Sequence, residues 1–483
     1  MSQDTAVKTH PTGRIHWKRA LRWSGLFLAG FAVLQIVFFG LLVAGQAVPD
    51  KAVLTQLTAA INAGDYGPSG LSDRMGGTAD TFTECVVVGT GLGQEGANLI
   101  ERAAFMPRIS NCQEGEQQIV DLNAGKPLAP GAVSGYYKYW AGYTAVTRPV
   151  IAVFGLPGMH IVAGGMLLFS AILAVVVLGR RTSMWAAAGL LLPLGLASNI
   201  MSTPSTSFSQ AFSISFMFFG IALTAWGAAK STKWAIITVG LSAALFCYVD
   251  LLTTPAIPWA FCTVVAAGVT YAKSRSLRPT FFAGLTAVAV WPIAFGLTWA
   301  ARWVFAAIFL GVRTTYKIVS NNIENRTGGD YSSVRHVLFA PTEANWAYWT
   351  SHISTAIFVL VATGVVIVLA LVMTWRRHGA RTVAAWPLLA VSAVVVIVWF
   401  EALNNHSQIH AFFVYRGYPA MLGVVLFAAL MLWGLPKARV ARRAQAAEAV
   451  PAGAADGSVI ADMPPEAGPA VPPAAMAPAL GNG

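Results

Sequence analysis

Ala356-Ile-Phe-Val-Leu-Val-Ala-Thr-Gly-Val-Val-Ile-Val-Leu-Ala-Leu-Val-Met-Thr-Trp375 runs for twenty residues without a formal charge, and Arg376-Arg377 closes it. Twenty residues wound as a helix span about 30 Å, the thickness of a bilayer's hydrocarbon core. This run lies within the apolar stretch 352–375. Working outward, comparable stretches lie at roughly 23–46, 156–178, 184–203, 209–229, 234–252, 255–272, 280–305, 383–401 and 417–435. A transmembrane barrel would show short alternating segments instead of continuous runs. The sequence therefore predicts an all-α integral membrane protein of about ten transmembrane helices.

Composition agrees. Of 483 residues, 56% are hydrophobic and 11% are charged, against about 25% charged in soluble domains. That excludes a soluble enzyme, a disordered chain and a nucleic-acid module. The net charge of +12 reflects how the loops are sorted. Arg180, Arg181, Lys230, Lys233, Lys273, Arg275, Arg278, Arg376, Arg377 and Arg381 fall in every second connection. With both termini, that side holds 19 of the 32 Lys and Arg but only 5 of the 20 Asp and Glu. The positive-inside rule makes it cytoplasmic, in a cell (inner) membrane, with both ends inside. No nucleic-acid partner is needed to explain the charge; anionic membrane lipid is the expected neighbour.

The predicted organisation is a cytoplasmic segment 1–22, a membrane domain 23–435 and a tail 436–483. External loops are 47–155, 306–351 and 402–416. The first run follows Arg14, Lys18, Arg19 and Arg22 and is too long for a signal peptide, so it reads as an anchor. The tail is rich in Ala, Pro and Gly and is expected to be disordered. Cys85 and Cys112 share the first external loop. An external compartment allows a disulfide, and their spacing does not decide it. Cys247 and Cys262, in spans, read as apolar packing.

Ionisable groups near a membrane need a reason. Here they gather at external span ends. Arg74-Met-Gly-Gly-Thr-Ala-Asp80-Thr-Phe-Thr-Glu84 places two acids at i and i+4, on one helix face, with Thr78 or Asp80 as cap. Such acids can take a proton from a sugar hydroxyl or hold a divalent metal against a phosphate. The plain alternative is a pair that balances a helix dipole. Asp50 follows Pro49 and suits a helix boundary. Asp250 suits either a cap near Pro255 or a cavity lining. Tyr136 to Arg148-Pro149 suits an aromatic helix in the interface, with a platform for sugar stacking. Trp299-Ala-Ala-Arg302-Trp303 offers a phosphate clamp in Arg302, or an arginine reaching headgroups. Glu401 to Arg416 is the densest polar segment. It puts His406 and His410 on one face, and Tyr415 and Arg416 at the start of the last span.

This pattern resembles the GT-C superfamily, the membrane glycosyltransferases that use polyprenyl-phosphate-linked sugars. Tyr139-Trp-Ala-Gly-Tyr143 with Arg148-Pro149, Trp299-Ala-Ala-Arg302-Trp303, and Asn405-His406-Ser-Gln-Ile-His410 with Tyr415-Arg416 are also similar to a group of bacterial membrane proteins accompanying surface-polysaccharide and glycosyltransferase genes. The resemblance covers most of residues 20–435. It implies a donor lipid, a glycan, lipid or protein acceptor, and a catalytic acid in the first external loop. That acid is Asp80 with Glu84 beside it, and Asp50 is the alternative. It assigns Arg302, Arg416 and, third, Arg148 to the donor phosphate. No cofactor is implied beyond a divalent metal. Transport or flipping of a lipid-linked glycan is the alternative class. An outward-facing polymerase or acyltransferase, with His406 or His410 as base, is the third.

Overall fold

The computed structural model describes residues 17–94 and 97–436. The expectation for the tail lies outside the described residues beyond 436. In order, the helices are α1 (Trp17–Gln46), α2 (Asp50–Ala63), α3 (Thr81–Val88), α4 (Leu99–Phe105), α5 (Cys112–Asn123), α6 (Thr144–Arg181), α7 (Met184–Leu196), α8 (Thr203–Thr206), α9 (Phe208–Lys230), α10 (Thr232–Val249), α11 (Ala256–Ser274), α12 (Leu277–Leu310), α13 (Val312–Thr327), α14 (Ala340–His352), α15 (Ala356–His378), α16 (Ala380–Val383), α17 (Trp386–Ala390), α18 (Val394–Ala402), α19 (Asn404–Ile409), α20 (Ala411–Val414) and α21 (Gly417–Trp433). Two short strands, β1 (Pro107–Arg108) and β2 (Ser134–Gly135), pair antiparallel.

Among the described residues, nine helices or helix runs are long and apolar enough to cross a bilayer. Met184–Leu196 with Asn199–Thr206 makes a tenth if that pair, bent by 75°, is one span. The helices α9, α11 and α21 form the centre and are buried along most of their length. By contrast α1, α6, α12 and α15 turn large apolar side chains outward, Phe358 and Ile161 among them. Contiguous apolar surface of this extent needs a hydrocarbon partner, and a bilayer supplies one.

Two spans differ from their expected form. The stretch 184–203 does not run straight. It breaks after Leu196 and continues at an angle through Asn199–Thr206. The polar groups freed there are satisfied by neighbours, as backbone at membrane depth requires. Leu196 O accepts from Thr355 Oγ1 at 2.5 Å and Ala197 O accepts from Trp349 Nε1 at 2.9 Å. The stretch 383–401 is stepped, through α16, α17, a 3₁₀ turn and α18. α6 begins at Thr144 but is two helices joined at a break at Gly155, so residues 144–154 form a short helix ahead of the stretch 156–178. Of the aromatic helix expected over 136–149, only the part from Thr144 is helical. Residues 136–143 form turns whose rings are buried, with Trp140 Nε1 donating to Thr298 O at 2.6 Å. A segment surrounded by partners on both sides has no need of a helical ladder to satisfy its backbone.

All the long connections pack at one end of the bundle. Gly142 N donates to Tyr248 O at 2.8 Å, Ser354 N to Met75 O at 3.1 Å, and Asn405 Nδ2 to Gly329 O at 2.6 Å. Cys85, in α3, is disulfide-bonded to Cys112 at the start of α5. Cys247 and Cys262 are free and buried. The paired arginines and lysines of the short connections lie at the other ends of the same helices.

Candidate functional site

At the loop-rich end, Asp80 is the N-cap of α3, accepting from Thr83 N at 3.1 Å. Asp has this role because its short side chain reaches back to the first turn. The segment before it is a tight turn. Asp73 Oδ1 accepts from Met75 N at 2.6 Å and Gly77 N at 3.2 Å. Gly76 there has φ +96°, and a Cβ would meet His352 O at 2.3 Å, so only glycine fits.

The free Asp80 oxygen, Oδ2, accepts from Gln210 Nε2 in the first turn of α9. The other half of the same amide, Gln210 Oε1, accepts from Arg416 Nη1. Arg416 Nε donates to Asn199 Oδ1 at 2.8 Å, and Asn199 Nδ2 donates to Asp73 Oδ2 at 2.6 Å. Tyr415 braces this chain at Asn199, donating to Asn199 Oδ1 at 3.1 Å and accepting from Asn199 N at 3.2 Å. Two carboxylates and one guanidinium are thus linked through two neutral amides. Asp80, Gln210, Asn199 and Arg416 are all buried. Burial pushes the Asp80 carboxyl up from 3.8 to about 6; Glu84 adds to this, and Thr83 and Arg416 oppose it.

Glu84, one turn along α3, points to different partners. Its Oε1 lies 3.0 Å from His160 Nε2, and its Oε2 accepts from Phe208 N at 3.1 Å. Phe208 opens α9, so this carboxylate also sits on that helix's positive end. His160 lies just past Gly155, the residue that breaks α6 with φ +68°.

The other expected residues take different places. Asp50 opens α2 and is paired with Arg148 Nη2 at 2.6 Å and Arg102 Nη2 at 2.8 Å. Arg148 also donates to Gly45 O at 2.9 Å, Val48 O at 2.7 Å and Gly91 O at 2.9 Å. It closes the open carbonyl end of α1. Arg302 is wholly buried and donates to Ala104 O at 2.8 Å, Ala103 O at 3.1 Å and Tyr139 O at 3.1 Å. It caps the C-terminal end of α4, where a cation meets the negative end of the dipole. The donors that reach those carbonyls are not turned to a phosphate. Asp250 accepts from Thr253 N at 2.9 Å and Thr253 Oγ1 at 2.5 Å, holding the turn between α10 and α11. Trp299 Nε1 donates to Lys138 O at 2.7 Å.

His406 and His410 do share a face, with ring centroids 4.7 Å apart. Arg326, at the end of α13, donates to His406 Nδ1 at 2.6 Å and His410 Nε2 at 3.1 Å. Burial first, and the Arg326 charge second, hold both imidazoles below their usual range, His410 at about 3. Both are therefore neutral. Among the described residues no three His, Cys, Asp or Glu side chains converge as a metal site.

The sequence reading missed Asp73, His160, Asn199, Gln210 and Arg326. Comparison with protein-family models, with curated proteins and with solved structures finds no match to this chain.

Proposed function

We propose that this chain is a multi-pass inner-membrane glycosyltransferase with both termini cytoplasmic. It moves a sugar from a polyprenyl-phosphate-linked donor to an external glycan, lipid or protein acceptor. One observation supports this most: the Asp80–Gln210–Arg416 bridge at the loop-rich end. It holds a buried carboxyl, raised toward neutral pH, at a fixed distance from a guanidinium that has no direct carboxylate partner among the described residues.

In this reading Asp80 takes the proton of the acceptor hydroxyl. The hydroxyl oxygen bonds to the anomeric carbon from the face opposite the lipid phosphate. The carbon–oxygen bond to that phosphate breaks, and the phosphate leaves with the electron pair. A base works best with a pKa near ambient pH, and the positive charge of Arg416 favours the developing phosphate charge. Glu84 and His160 set the position of α3 against α6 and α9.

The test is analysis of polyprenyl-linked sugars and surface glycan in a deletion strain complemented with wild type or Asp80→Asn. Build-up of a lipid-phosphate sugar in both the deletion and the Asp80→Asn strain is the expected result. Unchanged lipid-linked sugars in both would sink the reading. The bent pair at 184–206 favours a second reading, export of a lipid-linked glycan, since broken helices line transport sites. Under that reading proteoliposomes would move a labelled lipid-linked glycan across the bilayer with no change in its chemistry.

A further inference from the structure

Three cations meet in a second place at the loop-rich end. The Lys138 ammonium lies 5.3 Å from the Tyr136 ring centre and 5.6 Å from that of Tyr139. The Arg108 guanidinium lies 5.1 Å from the Tyr136 ring centre. Arg326 Nη2 donates to Tyr139 OH at 2.6 Å, and its Nη1 reaches the two histidines. His406 Nε2 lies 2.7 Å from Leu252 O, which can only accept, so Nε2 carries the proton and Nδ1 receives Arg326.

Every one of these partners is neutral. The ion pairs of the described residues involve Asp50, Glu84, Asp121 and Glu343, and none includes Arg108, Lys138 or Arg326. Asp250 bears electrostatically on Tyr139, but its oxygens are taken by Thr253. Burial first, then Arg326 and Arg108, bring Lys138 down to about 8. Arg326 and Arg108 thus act on Lys138 as like charges in a half-buried place, and like charges repel. Free surface lysines and arginines would swing apart. The tyrosine rings and the Arg326 hydrogen bonds keep these together.

We propose that Arg108, Lys138 and Arg326 form a binding site for a phosphate group. Guanidinium groups meet phosphate oxygens with paired donors, and an ammonium adds a point charge. Two sources share this chemistry: the headgroup of a membrane lipid and a free phosphate ester. Trp299 and Trp303 flank the site, both donating to Lys138 O, and α12 carries them to the outward-facing Val304 and Ile308. Tryptophans of this kind mark the depth of headgroups. The site shares no residue with the Asp80 bridge and does not depend on sugar transfer being the reaction.

The test uses the full chain in neutral detergent, with dihexanoyl phosphatidic acid and inorganic phosphate as probes, dioctanoylglycerol as the uncharged control, and tryptophan fluorescence as readout. Saturable binding of a phosphate probe is expected, weakened about tenfold in Lys138→Gln and Arg108→Gln, as for loss of one charge-assisted bond, and restored in Lys138→Arg. Among the described residues Lys138 makes no side-chain hydrogen bond that its loss would break, and melting temperatures check that each variant folds. Phosphatidic acid binding alone supports the site and identifies a lipid headgroup. Equal binding of inorganic phosphate supports it and identifies a soluble ester. The proposal is overturned if neither probe saturates, or if the wild type and both Gln variants bind equally.

Discussion

Glu84 Oε1 and His160 Nε2 meet at 3.0 Å although 76 residues separate them, and the contact ties the outer helix α3 to span α6. Among the described residues, His160→Ala leaves that buried carboxylate with only the Phe208 N–H. A lost partner of this kind costs about 1–3 kcal/mol. The expected result is a lower melting temperature in detergent with Asp80-dependent activity retained in the cold. An unchanged melting temperature would show that the contact contributes nothing.

Asp80→Asn keeps the shape of the cap and removes the proposed base. Transfer should fall by roughly 10²–10⁴-fold at normal expression. Gln210→Leu should cost less, since it disturbs the position of Asp80 and Arg416 without removing either.

The pH dependence of Asp80 has two opposite slopes. Its carboxyl is raised from 3.8 to about 6 in the folded chain, so the unfolded chain loses its proton first. Between those values the folded state holds the extra proton, and this group's contribution to stability falls as pH rises. The base fraction rises over the same window. Activity should therefore climb to a plateau above about pH 6, and Asp80→Asn should abolish that limb while flattening the Asp80 part of the stability profile.

Arg302→Met should read as a folding defect. It strands the carbonyls of Ala103, Ala104 and Tyr139, with a cost on the order of 3 kcal/mol, seen as poor yield and protease sensitivity. Normal yield with a raised donor KM would return Arg302 to the phosphate role that its motif suggests.

Thiol counting checks the loop's compartment. Four cysteines are present, two of them free. After denaturation without reductant, protein from cells should take up two maleimides, and four after reduction. Cys112→Ser should lower stability by about 2–4 kcal/mol.

The spans were legible because twenty uncharged residues have few other uses in a chain this poor in charge. Asp80 and Glu84 were legible as an i, i+4 pair after two glycines. Their partners were not, because Asn199, Gln210 and His160 reach the acids only through the packing of helices far apart in sequence. Two signals did stand in the sequence. The stretch Ser198-Asn199 to Ser209-Gln210 is dense in hydroxyls and amides between two apolar runs. His160 is an ionisable residue inside an expected span, where such residues need a partner. The motif arginines Arg148 and Arg302 sit against helix-end carbonyls, which their motifs did not announce. A guanidinium near a membrane surface fits helix-end carbonyls as readily as a phosphate, and spacing along the chain does not separate the two.

The seating of Trp140 against Thr298, and of Arg302 against the end of α4, fixes an order of events during synthesis. In the proposed orientation, residues 47–143 reach the far side of the bilayer before α12 has been made, and until then the end of α4 has no Arg302 and Trp140 has no acceptor. The loop layer must wait, held by its Cys85–Cys112 bridge, until the seventh apolar run has been inserted. A chain stopped at residue 276 should leave 47–143 open to external protease, and one stopped at residue 311 should close it. Resistance at both lengths would mean that the layer folds without the bundle.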